Sequence, residues 1–406
     1  MSDTEQPQEQ QLPTIPHDVI LDVLSRLPAK TLLRFRCVCK SWNSLTRDKN
    51  FTELHLKRAT TDPSQKRVLL SVKPFWSIQY DNLDDFVKNR CNVIIRKDTP
   101  SALACLGSNK DFEIIGECNG LICIALRKPR KRSHHYRDPI ERIFCLWNPS
   151  TGEGWEITRN DVANDKVVTR SMFSAACGHY NRFEVFRFGY DSTVDDYKIV
   201  RLVSHWSDNG VMQVEIFTVG RRTWMKKEVT REFDGFISMN TLNCSFLNGS
   251  FHWVMEKKIG EMLIRSFDLE KERVKEVIPL PHFSENRLVY AGRMSVAGGK
   301  LMLVTQLEDA TTEIWVMDEY GVGTSWAKLV TLCKVPDVKF GNSLSPVCFS
   351  RNGGVLVCVN GYHYMMYDPR DKTYRRSHHL PLRNRPHMSV YVESLISPVR
   401  GSNAVG

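Results

Sequence analysis

The sequence predicts a small all-α head of three helices followed by an all-β propeller of six blades. Two observations carry this. Apolar residues recur at helical spacing only between Ile15 and about Leu56, and from about residue 66 short strand-like runs repeat with a step near fifty residues. The 406 residues leave room for two or three domains, and 42% hydrophobic with 25% charged residues excludes wholesale disorder and a fibre. The longest apolar run, Leu121 to Leu126, is far short of the ~20 residues a bilayer helix needs, so no membrane partner is expected. The formal net charge of +10 attracts acidic partners weakly. Spread over so long a chain, it does not by itself indicate nucleic acid.

Taken in order, residues 1–12 read as a disordered polar tail. Ile15, Val19, Ile20, Val23, Leu24 and Leu27 then form one apolar stripe, with Pro16 and Asp18 suited to a helix start. Pro28 closes that helix and opens a second, and Leu32, Leu33 and Phe35 lead into a third bearing Val38, Trp42 and Leu45. So small a bundle buries little surface and gains stability if a partner covers its apolar face.

Beyond residue 66, runs rich in Val, Ile, Phe, Tyr and Trp are broken by Asn-Gly, Gly-Gly and Asn-Pro turns. Trp147, Phe217, Phe267, Val316 and Tyr367 occupy equivalent places, before a polar turn and a further strand, with steps of 70, 50, 49 and 51. The long first step accommodates a polar insertion at Asn160 to Lys166. Glycine turns at Asn119-Gly120, Asn248-Gly249, Gly298-Gly299 and Gly353-Gly354 open another strand in four units. A period near fifty with three or four strands per unit describes kelch-like blades. A degenerate sixth unit is expected at Val68–Val72 and Ser77–Tyr80, with Val390–Ile396 as a last strand closing the ring.

Residues Leu12 to Leu56 resemble an F-box, the module that docks on the Skp adaptor of cullin-based ubiquitin ligases. The matching text is Ile15-Pro16-His17-Asp18-Val19-Ile20, Leu24-Ser25-Arg26-Leu27-Pro28 and Leu32 through Trp42, with Ile-Pro where the family usually has Leu-Pro. The remainder is similar to the plant F-box-associated domain. Cys118-Asn119-Gly120-Leu121-Ile122-Cys123, Trp147-Asn148-Pro149-Ser150-Thr151, Phe188-Gly189-Tyr190-Asp191 with Asp195-Asp196-Tyr197-Lys198, Leu247 to Trp253 and Glu313 to Met317 match it in order. The resemblance implies an F-box at 13–56, a substrate-selecting propeller at 66–397 and a short tail at 398–406. It implies a non-catalytic receptor subunit that joins a Skp-type adaptor, and through it a cullin, to an unknown target protein destined for degradation. By position, the adaptor-facing residues would be Pro16, Ile20, Leu24, Leu27, Pro28, Leu32, Val38 and Trp42. Some of these must instead be the bundle's own core.

Other features have simpler explanations. The run Arg127, Lys128, Arg130, Lys131, Arg132 to Arg137 falls between two strands of one blade. It reads as a solvated loop or as a nuclear import signal or acidic-partner contact. Asp195-Asp196 fits a turn better than acid–base chemistry, and His252 a packed position better than a base. Trp155, Trp224 and Trp326 recur at one blade position and should be inter-blade core. Phosphate-loop, dinucleotide, nucleophile-elbow and zinc-protease motifs are missing, so no catalytic residue and no cofactor is expected. The twelve cysteines sit mostly in apolar runs without a C-x-x-C pair. Cys37-x-Cys39 lacks a histidine at ligand spacing, so neither metal nor disulfide framework is expected. With a polar N-terminus, this predicts a cytoplasmic or nuclear protein. Two alternatives use the propeller differently, as a small-molecule or glycan module, or as a nucleic-acid binder acting through the basic run.

Overall fold

The computed structural model describes residues 15–70, 75–87, 94–97, 112–127, 142–157, 182–205, 212–229, 244–258, 261–275, 278–281, 288–308, 311–336, 343–361, 363–376 and 388–399. The polar tail, the insertion at 160–166 and most of the basic run lie outside these residues.

The head is all-α, with one helix more than expected: α1 (His17–Leu24), α2 (Ala29–Phe35), α3 (Lys40–Leu45) and α4 (Lys49–Thr61). Pro16 and Pro28 precede α1 and α2 with ψ of 140° and 142°, the extended conformation that starts a helix. The expected third helix is shorter than drawn, and Val38 lies in the turn before it. What ends it is a new start signal: the Asp48 carboxylate accepts the Phe51 N–H at 2.9 Å and caps α4.

Six four-stranded antiparallel sheets follow. The first combines β1 (Lys66–Leu70), β2 (Phe75–Gln79) and β3 (Ile94–Lys97) with the last strand of the chain. The second is β4 (Phe112–Cys118), β5 (Leu121–Arg127), β6 (Arg142–Trp147) and β7 (Gly154–Ile157). The third is β8 (Arg182–Asp191), β9 (Asp196–His205), β10 (Met212–Thr218) and β11 (Thr223–Val229). The fourth is β12 (Ser245–Leu247), β13 (Ser250–Lys258), β14 (Glu261–Asp268) and β15 (Arg273–Val274). The fifth is β16 (Leu288–Ala297), β17 (Lys300–Leu307), β18 (Thr312–Met317) and β19 (Trp326–Leu332). The sixth is β20 (Leu344–Phe349), β21 (Val355–Val359), β22 (His363–Asp368) and β23 (Thr373–Arg376). Finally β24 (Met388–Val392) returns to pair with β1, Val68 opposite Val390, so the two ends of the propeller share a blade. Trp147, Phe217, Phe267, Val316 and Tyr367 all fall on third strands, as their spacing predicts.

Strand-initiating turns follow from residue type. Asn119-Gly120 and Asn248-Gly249 both have positive φ (55° and 79°, 48° and 69°), the pattern of a two-residue hairpin whose twist matches the strands. A Cβ on Gly120 would sit 2.5 Å from the Val392 carbonyl oxygen, so nothing larger fits against the closing strand. Gly116 in β4 has the same duty toward β8, where a Cβ would meet the Phe188 carbonyl oxygen at 2.9 Å. First strands touch around the axis: β24 with β4, β4 with β8, β12 with β16, β16 with β20 and β20 with β24. Gly189 of β8 abuts Phe246 of β12 and completes the ring.

The core lies between blades. Leu69, Phe75 and Tyr391 of the first blade pack on Ile122 and Trp147 of the second, and Leu146 of the second packs on Phe186 and Phe217 of the third. Equivalent clusters join every remaining neighbouring pair. Second and third strands are therefore covered on both sides, which explains unbroken apolar runs such as Val355–Val359 where a one-faced sheet would alternate. Trp155, Trp224 and Trp326 join these clusters from outer strands.

Candidate docking surface

The head is ordered by a few polar contacts. Arg58 on α4 donates to the Asp22 carboxylate at 2.6 Å and its backbone oxygen at 2.7 Å, tying α4 to α1. Hydrogen bonds from Arg26 and Arg58 hold the Asp22 carboxyl below the usual carboxylate range. His55 Nε2 lies 3.0 Å from the Leu27 oxygen, and burial pushes this imidazole below its usual value, toward the neutral form. These contacts decide which side of each helix faces in.

The eight residues assigned by resemblance divide. Leu24 and Leu32 are 4% and 0% exposed and pack with Ala29, Phe51 and Leu395, so as an outward-facing pair they are corrected: they are the head's core. Ile20, Leu27 and Trp42 are half-buried at the core's edge, with the Trp42 ring 5.1 Å from Phe35. Pro16, Pro28 and Val38 are exposed. The most open apolar side chains on the head include three outside that set: Ile15 60%, Val19 49% and Val23 53%, beside Val38 at 63%. Val19 and Val23 lie one turn apart on one side of α1, and Ile15 precedes the helix. Covering the four would contribute on the order of 1 kcal/mol each, since roughly half of each is already out of water. Sequence reading placed Val19 and Val23 in the α1 stripe without telling its outer half from its inner half.

The head sits on the propeller, on the end that carries the tight turns. Leu395, just past β24, inserts into the head core, and Glu393 pairs with Arg67 at 2.9 Å. Lys49 at the start of α4 pairs with Asp195, and Arg36 lies 3.9 Å from Glu153. Asp195 therefore serves an interdomain contact, and Asp196 caps the next turn by accepting the Gly220 N–H at 2.8 Å. A cleft of about 530 Å³ remains between head and propeller, lined by Arg36, Arg47, Lys49, Glu153, Asp195 and Asp196 among others.

Asn148, from the Trp-Asn-Pro-Ser-Thr run, holds this junction. Fully buried, its amide donates to the oxygens of Ser394 (3.0 Å) and Ile396 (2.8 Å), and its oxygen accepts from the Ser150 N–H at 2.8 Å. One side chain thus closes its own turn and fastens the segment that enters the head.

The Asp-Asp-Tyr-Lys run has a comparable part between blades three and four. Lys198 donates to Asp191 at 2.5 Å, to Glu272 at 2.9 Å and to the Leu269 oxygen at 3.2 Å. Burial alone would raise the Asp191 carboxyl, but hydrogen bonds from Lys198 and Thr193 outweigh it and hold it below the usual range. His252 is buried, 2.7 Å from the Tyr320 hydroxyl, and burial pushes its pKa down to about 4. It is a packed neutral residue.

Among the inner strands of neighbouring blades, a cavity of about 170 Å³ is lined by Glu117, Arg187, Phe188, Cys244 and Phe246 with neighbours. Desolvation pushes the Glu117 carboxyl up to about 7. Among the described residues no group of three His, Cys, Asp or Glu could hold a metal. Lys128, Arg130, Lys131 and Arg132 lie outside the described residues. Arg127 ends β5 and Arg142 begins β6, so this connection leaves the sheet at the end away from Asn119-Gly120, opposite the head.

Residues 12–54 match the family model for the F-box domain, and residues 69–398 match that for the F-box associated beta propeller domain. The F-box protein CPR1 of Arabidopsis thaliana is 26% identical over 380 residues, covering 88% of this chain and 83% of that protein. An F-box/kelch-repeat protein of the same plant is 24% identical over 364 residues, covering 86% and 90%. Among solved structures the Dos1 propeller aligns with 75% of this chain and 66% of its own, at 10% identity and a TM-score of 0.31.

Proposed function

Since this chain belongs to the F-box-associated beta propeller family and carries an F-box, we propose that it is the substrate-recognition subunit of a Skp–cullin–F-box ubiquitin ligase. The exposed apolar side chains Ile15, Val19, Val23 and Val38 support this most directly: they stand open on a head whose core is already filled. A Skp-type adaptor covers them and links the chain to a cullin. The propeller holds a target protein, which is ubiquitinated by an enzyme elsewhere on the scaffold and then degraded.

On this reading the chain transfers no ubiquitin itself. It raises the effective concentration of target near the loaded enzyme. That effect needs a fixed geometry between adaptor and target. Leu395 in the head core and the Lys49–Asp195 and Arg36–Glu153 pairs suit the purpose. Because the head occupies the tight-turn end, the target binds the opposite end, where the longer connections begin and return. Arg127 ends β5 at that end, and the basic run that follows it in sequence would contact an acidic target or act as an import signal, with the protein in cytoplasm or nucleus. A fluorescent fusion lacking those charges tests the import role.

The test of the whole reading is affinity purification of the full-length chain with the proteasome inhibited, beside a Val23→Asp/Val38→Asp double variant. Proteins lost from the variant belong to the ligase, and proteins kept by both are target candidates. Recovery of no Skp-type protein or cullin with wild type would refute the proposal.

A further inference from the structure

Past β24 the chain is first held tightly and then released. Asn148 fastens Ser394 and Ile396, and Leu395 fills the head core. Beyond them Ser397 to Val399 belong to no strand, with Ser397 half-buried, Pro398 buried and Val399 exposed. The Ser397 hydroxyl accepts the Val399 N–H at 3.3 Å. Both residues line the cleft of about 530 Å³ between head and propeller.

Ser397-Pro398-Val399-Arg400 is a serine followed by proline, with a base three residues on. Kinases of the proline-directed class select this pattern. Their groove accepts a residue without an N–H after the serine, and acidic side chains receive the base. Two other such pairs, Thr99-Pro100 and Ser345-Pro346, lack the base. Ser345 is also buried inside β20.

The head's side of the cleft is cationic, with Arg36, Arg47 and Lys49. Lys49 is paired with Asp195. Arg36 and Arg47 hydrogen-bond no carboxylate among the described residues. Arg36 donates to Thr46 and stands 3.9 Å from Glu153, and Arg47 donates to the Asn43 side chain at 3.3 Å. Burial pushes the Arg36 guanidinium down, and the Arg47 charge pushes it further, so the two cations stand close enough to repel.

We propose that Ser397 is phosphorylated by a proline-directed kinase, and that its phosphate binds Arg36 and Arg47 and clamps the head to the propeller. The Ser397 oxygen attacks the γ-phosphorus of ATP on the kinase. The bond to the β–γ bridging oxygen breaks, ADP leaves with that electron pair, and the hydroxyl proton passes to the kinase's base. Pro398 must leave its seat for the serine to be reached, so modification follows transient opening of residues 397–399. The phosphate carries about two negative charges against the one on Glu153, and its oxygens suit the guanidinium fork. Neither step depends on the adaptor.

Full-length protein is incubated with ATP and a purified cyclin-dependent kinase, and phosphopeptides are read by mass. Ser397 should be labelled and Ser345 should not, and Ser397→Ala should lose that phosphate. Amide exchange at residues 393–399 and across the head should slow several-fold on phosphorylation and recover after phosphatase. Arg47→Gln, a change at an exposed side chain, should be labelled like wild type and slow much less. At about 1 M salt the slowing should largely vanish in wild type as well, since ions enter the open cleft. A folded chain left unlabelled at Ser397 overturns the site. Labelling with unchanged exchange, or with slowing that survives both Arg47→Gln and high salt, overturns the clamp.

Discussion

Replacing Asn148 by alanine tests how the propeller is closed and how the head is held. The substitution removes the donor from two backbone oxygens, those of Ser394 and Ile396, in residues that are 0% and 1% exposed. A buried carbonyl left without a donor costs about 1–3 kcal/mol. The same change removes the acceptor for the Ser150 N–H, in a half-exposed turn where water can replace it, at about 1 kcal/mol or less. The total is about 2–7 kcal/mol, a large part of the ~5–15 kcal/mol that holds a typical domain folded. Equilibrium urea unfolding of the full-length chain should show a lower midpoint at unchanged slope. Amide exchange should accelerate locally at Glu393 to Ile396 and in the head, because Leu395 belongs to the head core. A loss below about 1 kcal/mol, or exchange unchanged in the head, would refute the reasoning, since it would leave two buried oxygens unsatisfied at no cost.

Two further outcomes concern buried charge. Lys198→Ala leaves Asp191 and Glu272 without their shared cation and should cost about 3–5 kcal/mol at neutral pH. Asp191 titrates below its ordinary 3.8 when folded, so its stabilisation is present above that pH and lost as pH falls through the lowered value; pH-dependent unfolding should show the gap to the variant narrowing in acid. His252, held neutral down to about 4 against an ordinary 6.5, stabilises above pH 6.5 and loses that contribution as pH falls toward 4. The deficit of His252→Phe against wild type should therefore shrink by up to about 3 kcal/mol across that window, and a constant deficit would contradict the burial argument.

Much of the propeller was legible because its signals are local. Asn119-Gly120 and Asn248-Gly249 announce hairpins by their tolerance of positive φ, and a large apolar residue before a polar turn marks the third strand of five blades. Even closure by the last strand could be read, since a six-blade ring needs a partner for the incomplete sheet at Val68. The fourth helix was missed because its signal is a single capping carboxylate, Asp48, inside a stretch already read as helical.

The docking surface was less legible. An apolar stripe as wide as that of α1 has an inner and an outer half. Only the fit of α1 against α4, fixed by Asp22 with Arg58 and by Leu27 with His55, turns Leu24 inward and Val23 outward. The core that receives Leu24 also contains Leu395, contributed from the far end of the chain, and no period or motif announces that contact. Asn148 was visible as part of a motif, but its purpose depends on Ser394 and Ile396, which folding alone brings near.

The central claim is that the exposed apolar side chains of the head are where a Skp-type adaptor binds. Direct titration of purified adaptor against Val23→Asp and Val38→Asp, with helical content checked by circular dichroism, tests it with fewest intermediates. Both variants should fold as wild type and bind at least about ten-fold more weakly, whereas Leu24→Asp should lose the head's helical signal because its charge would be buried. If the two surface variants fold and bind the adaptor as tightly as wild type, these side chains are not the docking surface and the proposed assembly fails with it.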